Sequence, residues 1–214
     1  MLTRALLLAG ARVRAVEHDS RLAARLRRAC PDANVVEVDA LATRWPEGPF
    51  RVVANLPFAH TTDICRGLLS DPLVPLRSAD LIVQWDAAIK RTRLWPSTVL
   101  GVLWGAWYEL SVLRRIAPAA FSPAPSVAAA LLCARRRPEP LVPVPQARAY
   151  ESFLRRAFRT RRLPRYAGSL APVLGIDPRA EPRDLDARAW ASLWQETSGS
   201  PHTVTGMTRR RRTR

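Results

Sequence analysis

From residue 2 to about residue 93, short apolar runs of strand character take turns with runs of helical period. Residues 2 to 9 read as the back half of an amphipathic helix, closed by Gly10 at a C-cap position. "RVRAV" (12–16) reads as a strand, and Ser20 opens a helix to about Ala29, with Leu22 and Leu26 on one face. "NVVEV" (34–38) and "FRVVA" (50–54) are further strands. A helix follows from His60 to Leu69, then a strand "DLIVQ" (80–84) and a helix from Trp85 to Arg93. Such alternation predicts an α/β fold with a parallel sheet and crossover helices, because parallel neighbours can be joined only by a long return. Pro96 and Ser97 open another helix to about Trp104, and "YELSVLRRI" (108–116) with "SVAAALLCA" (126–134) read as a closing antiparallel pair.

Three of the early strands run straight into a polar side chain: Glu17, Asp39 and Asn55. In open α/β sheets ligands bind beyond the carboxyl ends of the strands, so the three suggest one shared crevice. The bland alternative is that loops begin with polar residues anyway. The third strand end, "RVVANLPF" (51–58), is the most specific. An amide, a rigid proline turn and an aromatic ring in succession suit the handling of a flat heterocycle that bears an amino group.

Lys and Arg number 34 against 18 Asp and Glu, a formal net charge of +16. Arg-rich coding explains why Lys90 is the only lysine but not the scarcity of acids. A field of this sign points to a polyanion, most often nucleic acid. Cys30, Cys65 and Cys133 are far apart and, like His18, His60 and His202, lack metal-ligand spacing. Buried reduced thiols, no metal and a cytoplasmic location are the expectation. The longest apolar run, Val99 to Tyr108, is short of the about 18 residues a membrane span needs. The N-terminal Leu/Ala run is brief and meets Arg12, Arg14, Glu17 and Asp19 at once, which argues against a signal peptide.

After Arg137 the character changes. "PEPLVPVP" is a stiff connector, and residues 146 to about 196 look helical, with breaks at Pro164, Pro172 and Pro178. Arg155, Arg156, Arg159, Arg161, Arg162 and Arg165 crowd one stretch with no acid between Glu151 and Asp177. A solvated helix face is one reading; a phosphate-contacting surface is the better one, because unpaired like charges repel. The division expected is a sheet domain over 1–137, a helical RNA-binding domain over 138–200 and a basic disordered tail over 201–214.

"VRAVEHD", "VEVDAL", "RVVANLPF" followed by "TTDIC", and "FSPAPSVAAALL" occur in the order and spacing of a known family. Over about residues 2 to 165 the chain resembles the rRNA adenine N6-dimethyltransferases, and within them the macrolide-resistance (Erm) type. The small-subunit rRNA sister group usually has Tyr where this chain has Phe58. The resemblance implies a Rossmann-like methyltransferase sheet that binds S-adenosyl-L-methionine, a 23S rRNA substrate and a monomer. By matching position, Glu17 would hold the ribose hydroxyls of the cofactor. Asp39 with Ala40 would meet its adenine, and His18 would flank that ring. Asn55, Leu56, Pro57 and Phe58 would grip the target adenine, and Phe121 would close the pocket. Cap or surface carboxylates for Glu17 and Asp39, and a core ring for Phe121, are the structural alternatives. Gln84, Lys90 and Arg91 match a segment near the target nucleotide, where Trp85 and Asp86 depart from the family's basic and acidic pair.

The family places a Gly-rich loop after its first strand to cradle the methionine part of the cofactor, within a strand order 3-2-1-4-5-7-6. "LTRALLLAGARVRAVE" matches from just after that loop. A misplaced start at Met1 is the expectation, and without the first strand these residues alone are not expected to make a stable enzyme. The alternatives are a small-subunit 16S rRNA dimethyltransferase and a truncated, inactive RNA-binding protein.

Overall fold

The computed structural model describes residues 2–93, 97–163, 175–177 and 179–199. The expected breaks at Pro164, Pro172 and Pro178, and the tail over 201–214, lie outside the described residues.

Seven helices and six strands are described. α1 (Leu2–Leu8) turns at Gly10, where φ is +79°, and leads into β1 (Arg14–Glu17). Gly is suited to this left-handed backbone because it has no Cβ to clash. α2 (Ser20–Ala29) starts on Asp19, whose carboxylate accepts from the Arg21 and Leu22 amides at 2.8 and 3.0 Å. The expected cap, Ser20, is the first helical residue instead. β2 (Asn34–Glu37) pairs parallel with β1, Glu17 opposite Glu37.

β3 (Phe50–Asn55) runs through a short 3-10 turn into α3 (Thr61–Leu69) and then β4 (Leu76–Gln84). β4 begins four residues earlier than its apolar run, because Ser78 and Ala79 already pair with β3 and with the last strand. Pairing can extend through polar residues that no hydrophobic pattern marks. α4 (Trp85–Thr92) and α5 (Val99–Gly105) follow. Thr98, not Ser97, caps α5 through its Oγ1, which accepts from the Gly101 amide at 3.1 Å.

β5 (Tyr108–Ile116) and β6 (Ala129–Arg136) are antiparallel, as expected, with β6 inserted between β4 and β5. β6 starts three residues later than expected; Pro123 and Pro125 lie in the run before it, and proline cannot donate to a ladder. α6 (Ala147–Thr160) and α7 (Ala187–Gly199) complete the described chain.

The strands form two sheets, β1-β2 and β3-β4-β6-β5. The core belongs to the second. Ala79, Leu81 and Val83 of β4 and Ala130, Leu132 and Ala134 of β6 share one face and are 0–2% exposed. Ile64, Cys65, Leu68 and Leu69 of α3 and Val102, Leu103 and Trp104 of α5 belong to the same cluster. That cluster continues without a break into the C-terminal helices. Tyr150, Phe153, Trp190 and Trp194 form a ring network, which Trp107 joins edge-on to Tyr150 at 6.2 Å. α5 meets α7 closely enough that a Cβ on Gly105 would lie 2.6 Å from that of Ala187. The opposite sheet face is more polar. There Asp80 accepts from Cys133 Sγ at 3.0 Å and from Arg135 at 2.6 Å. All three cysteines are buried and free.

Candidate active site

β3 is held to β4 up to its last residue. Asn55 pairs with Ile82, and the Leu56 amide donates to the Ile82 carbonyl at 3.0 Å. Leu56 is itself buried, so its side chain anchors the turn while its main chain stays at the strand end. Pro57 follows with φ −61°, and its carbonyl accepts from the His60 amide and the Thr61 hydroxyl. The Asn55 side chain is exposed and Phe58 is half-buried. No hydrogen bond among the described residues takes the Asn55 amide or the Leu56 carbonyl. The turn thus presents two oxygen acceptors beside a ring, fixed by bonds that use neither.

The loop carrying Phe121 lies at the same end of the sheet. β6 begins there, with Ala129 opposite Gln84 at the end of β4, and the Trp85 amide donates to Ala128. Phe121 is half-buried and closes a 3-10 turn over Pro118–Ala120. Since β5 runs parallel to β4 through β6, its last residues reach this end too. Arg114 and Arg115 are exposed there, and the Arg115 guanidinium sits 5.2 Å from the centre of the Trp85 ring. From sequence alone these arginines are strand residues, and a basic pair at a strand end is the signal they carry.

Glu17 ends β1, inside the strand rather than after it, and Asp39 lies two residues beyond β2. One Glu17 oxygen accepts from the Asp19 amide at 3.0 Å and lies 3.4 Å from His18 Nδ1, leaving the second oxygen without a partner among the described residues. Asp39 Oδ1 accepts from the Leu41 amide at 2.8 Å. Both carboxylates keep an acceptor to spare, which fits them to hold hydroxyl or amino groups. Ala40 packs against the core, and Trp45 stacks on Phe50 at 5.9 Å and donates to the Gly67 carbonyl. The segment after β2 is thereby fastened to the larger body. Glu17 and Asp39 stand at one sheet's end, Asn55 and Phe58 at the other's.

A ribosomal RNA adenine dimethylase family model matches residues 1–165. The chain belongs to this family.

Its relatives include the mycinamicin-resistance protein MyrB of Micromonospora griseorubida, 34% identical over 91% of this chain and 66% of MyrB. An rRNA adenine N-6-methyltransferase of Corynebacterium diphtheriae is 34% identical over 71% of this chain and 60% of its own length. The chain thus spans less than two thirds of either relative. A ribosomal RNA small subunit methyltransferase A of Synechococcus is 32% identical over 90% of this chain and 75% of that protein. Among solved structures, the 23S rRNA methyltransferase ErmE matches with a TM-score of 0.75 and 26% identity, over 87% of this chain and 82% of the other. This chain shares the Rossmann-like α/β architecture of that structure.

The RNA-binding candidates divide. Lys90 is exposed at the end of α4, whereas Arg91 is half-buried, over the Trp104 ring at 5.7 Å and bonded to the Thr98 hydroxyl at 3.3 Å. Burial draws the Arg91 guanidinium below its ordinary value and pushes the neighbouring Cys65 thiol up to about 12. On α6 the buried residues are Tyr150, Leu154 and Ala157, so Arg155, Arg156 and Arg159 face outward. Arg161 and Arg162 are exposed just beyond the helix. One correction applies to the expectation of unpaired arginines: Arg155 bridges to Glu151 at 2.6 Å, one helical turn away. Arg156, Arg159, Arg161 and Arg162 make no ion pair among the described residues. No described group of His, Cys, Asp and Glu could hold a metal, and no described helix is long and apolar enough to cross a membrane.

Proposed function

We propose that this chain carries the target-adenine site and the RNA-binding surface of an enzyme that methylates adenine N6 in 23S rRNA and so confers macrolide-type resistance. The observation that carries it is the Asn55–Phe58 turn, whose side-chain amide and Leu56 carbonyl take no hydrogen bond among the described residues. Family membership and the similarity to MyrB and ErmE support the substrate.

Adenine N6 is a poor nucleophile because its lone pair is delocalised into the ring. The Asn55 side-chain oxygen and the Leu56 carbonyl accept its two N–H bonds, which favours a pyramidal nitrogen with its lone pair turned outward. Pro57 offers no N–H and holds the turn. Phe58 supplies a face for the everted base, worth about 1–3 kcal/mol. Phe121 covers the base from the β5–β6 loop. S-adenosyl-L-methionine, when bound, would supply an electrophilic methyl group, its thioether being the leaving group while N6 gives one proton to solvent. Glu17 would accept from its ribose hydroxyls, and Asp39 with Ala40 and His18 would receive its adenine. Placement does most of the work, so no strong base is required. Lys90, Arg114, Arg115, Arg156, Arg159, Arg161 and Arg162 neutralise phosphates, and Arg155 does so in competition with Glu151.

Small-subunit 16S rRNA is the second reading, favoured by the similarity to the Synechococcus protein. Transfer of labelled methyl to naked 23S or 16S rRNA decides between them. Label in 23S rRNA alone supports the proposal. Label in 16S rRNA alone transfers it to the sister group, and RNA binding with no label leaves a binding protein.

A further inference from the structure

Among the described residues, three guanidinium groups lie over aromatic rings. Arg91 covers Trp104, Arg136 covers Tyr108 and Arg115 covers Trp85, at 5.7, 5.8 and 5.2 Å from the ring centres. The first two belong to the framework. Arg91 is half-buried and donates to the Thr98 hydroxyl at 3.3 Å. Arg136 is half-buried and donates to the Pro72 and Val74 carbonyls at 2.6 and 3.0 Å. Arg115 differs from both. It is exposed, and it makes no hydrogen bond and no ion pair among the described residues. A guanidinium stacked through one face keeps its other face and the N–H donors along its edge.

A β-bulge puts Arg115 in this place. Val112 pairs with Leu132 and Arg114 with Leu131, so Leu113 is an extra residue of β5 without a partner on β6. Residues directly opposite share a sheet face, and one extra residue exchanges the faces of all that follow it. An unbroken ladder would set Arg114 opposite Ala130. The bulge sets Arg115 there instead, in the row of Ala130 and Val83. α4 packs over that face, and its first residue, Trp85, meets the guanidinium. Trp85 is held in turn. Its amide donates to the Ala128 carbonyl at 2.9 Å, and its ring is half-buried against the core.

The stack stands at the sheet end that carries the Asn55 turn. β4, which ends beside Trp85, is the neighbour of β3, and β5 lies two strands further on. With strands about 4.8 Å apart, the pair spans roughly 5–15 Å across the sheet end from Asn55. A base everted into the turn leaves the next base in its strand with one face unstacked. Unpaired RNA bases stack on aromatic rings and on arginine planes.

We propose that the Trp85–Arg115 stack receives that next base. An unpaired base beside the target adenine lies on the outer face of the Arg115 guanidinium, which Trp85 backs, while the guanidinium edge donates to the adjoining phosphate. Holding the neighbour fixes which nucleotide enters the Asn55 turn. The inference rests on the adenine site proposed above and adds a base-binding subsite to it.

Binding of a naked 23S rRNA fragment tests it, with abasic nucleotides placed one at a time through its unpaired segments. Arg115→Lys keeps the charge and loses the plane. On intact RNA it should raise Kd about tenfold, the scale of one lost stack. On RNA that is abasic beside the methylated adenine it should cause no further loss. Trp85→Leu should follow the same pattern, and the double variant should bind no worse than Arg115→Lys alone. The salt dependence of binding should be the same for Arg115→Lys as for the parent, because the charge is kept. Arg114→Gln should weaken binding to every RNA by one factor and flatten the salt slope.

Arg115→Lys equal to the parent, or weaker by one factor on every RNA, overturns the proposal and leaves Arg115 as the roof of a core indole. Coupling found only at nucleotides remote from the methylated adenine overturns it too. The readout is binding, so the two readings fail separately. Coupling at a single position with no methyl transfer leaves the stack and removes the enzymatic reading. Methyl transfer with no coupling removes the stack alone, and a parent that binds no RNA removes both.

Discussion

The Leu56 amide donates to the Ile82 carbonyl at 3.0 Å, one bond beyond the last paired residue of β3. That bond uses the main-chain donor of Leu56 and leaves its carbonyl without a hydrogen bond among the described residues. Substituting Asn55 removes the partner acceptor without touching the ladder, because its side chain makes no hydrogen bond among the described residues. Asn55→Ala should abolish methyl transfer with a melting temperature within a degree or two of the parent, a surface change being worth about 0.5 kcal/mol or less. Retained turnover would place the site elsewhere.

Asp80 makes stability depend on acid. Burial pushes its carboxyl up, but the bonds from Cys133 and Arg135 outweigh that and hold it below the ordinary aspartate value. A carboxylate lowered in the native state stabilises above its unfolded value, about 3.9, and loses that contribution as pH falls through the native one. The stability difference between the parent and Asp80→Asn, from urea melts, should be constant above about pH 5 and shrink towards pH 3. A difference that grows on acidification contradicts the network.

The Tyr150 hydroxyl is buried in the aromatic cluster with no hydrogen-bond partner among the described residues, and burial raises its pKa well above the ordinary phenol value. An unsatisfied buried hydroxyl costs about 1–3 kcal/mol. Tyr150→Phe keeps the ring contacts with Trp107, Phe153 and Trp194 and discards the penalty. Thermal melts should show the variant equal to the parent or more stable by about 1 kcal/mol. A clear loss of stability would mean that the hydroxyl is partnered.

Gly105 tests the docking of the C-terminal helices on the sheet. A methyl at this position would sit 2.6 Å from the Ala187 side chain, too close for α5 and α7 to keep their separation. Gly105→Ala should cost about 1–3 kcal/mol, as overpacking does. Adding Ala187→Gly should return most of it, less the helix penalty of glycine, about 1 kcal/mol. Equal stability of the two variants would show that the helices do not meet there.

Hydrophobic period and turn chemistry settled much of this protein without coordinates. Alternation through residue 93 marked every described strand and helix of the parallel part, since a buried face needs regular apolar spacing. "NLPF" marked the turn that ends β3, where Pro57 fixes the backbone and Phe58 opens a 3-10 turn. Boundaries fared worse where pairing or capping outran hydrophobicity, as at Ser78, Thr98 and Ala129. Tertiary structure alone decided two things. It put Arg91 beside Trp104, and it brought Trp107 against Tyr150 in one core. Charge and polarity are local properties of a chain, but burial and partnership depend on which distant segments arrive beside it.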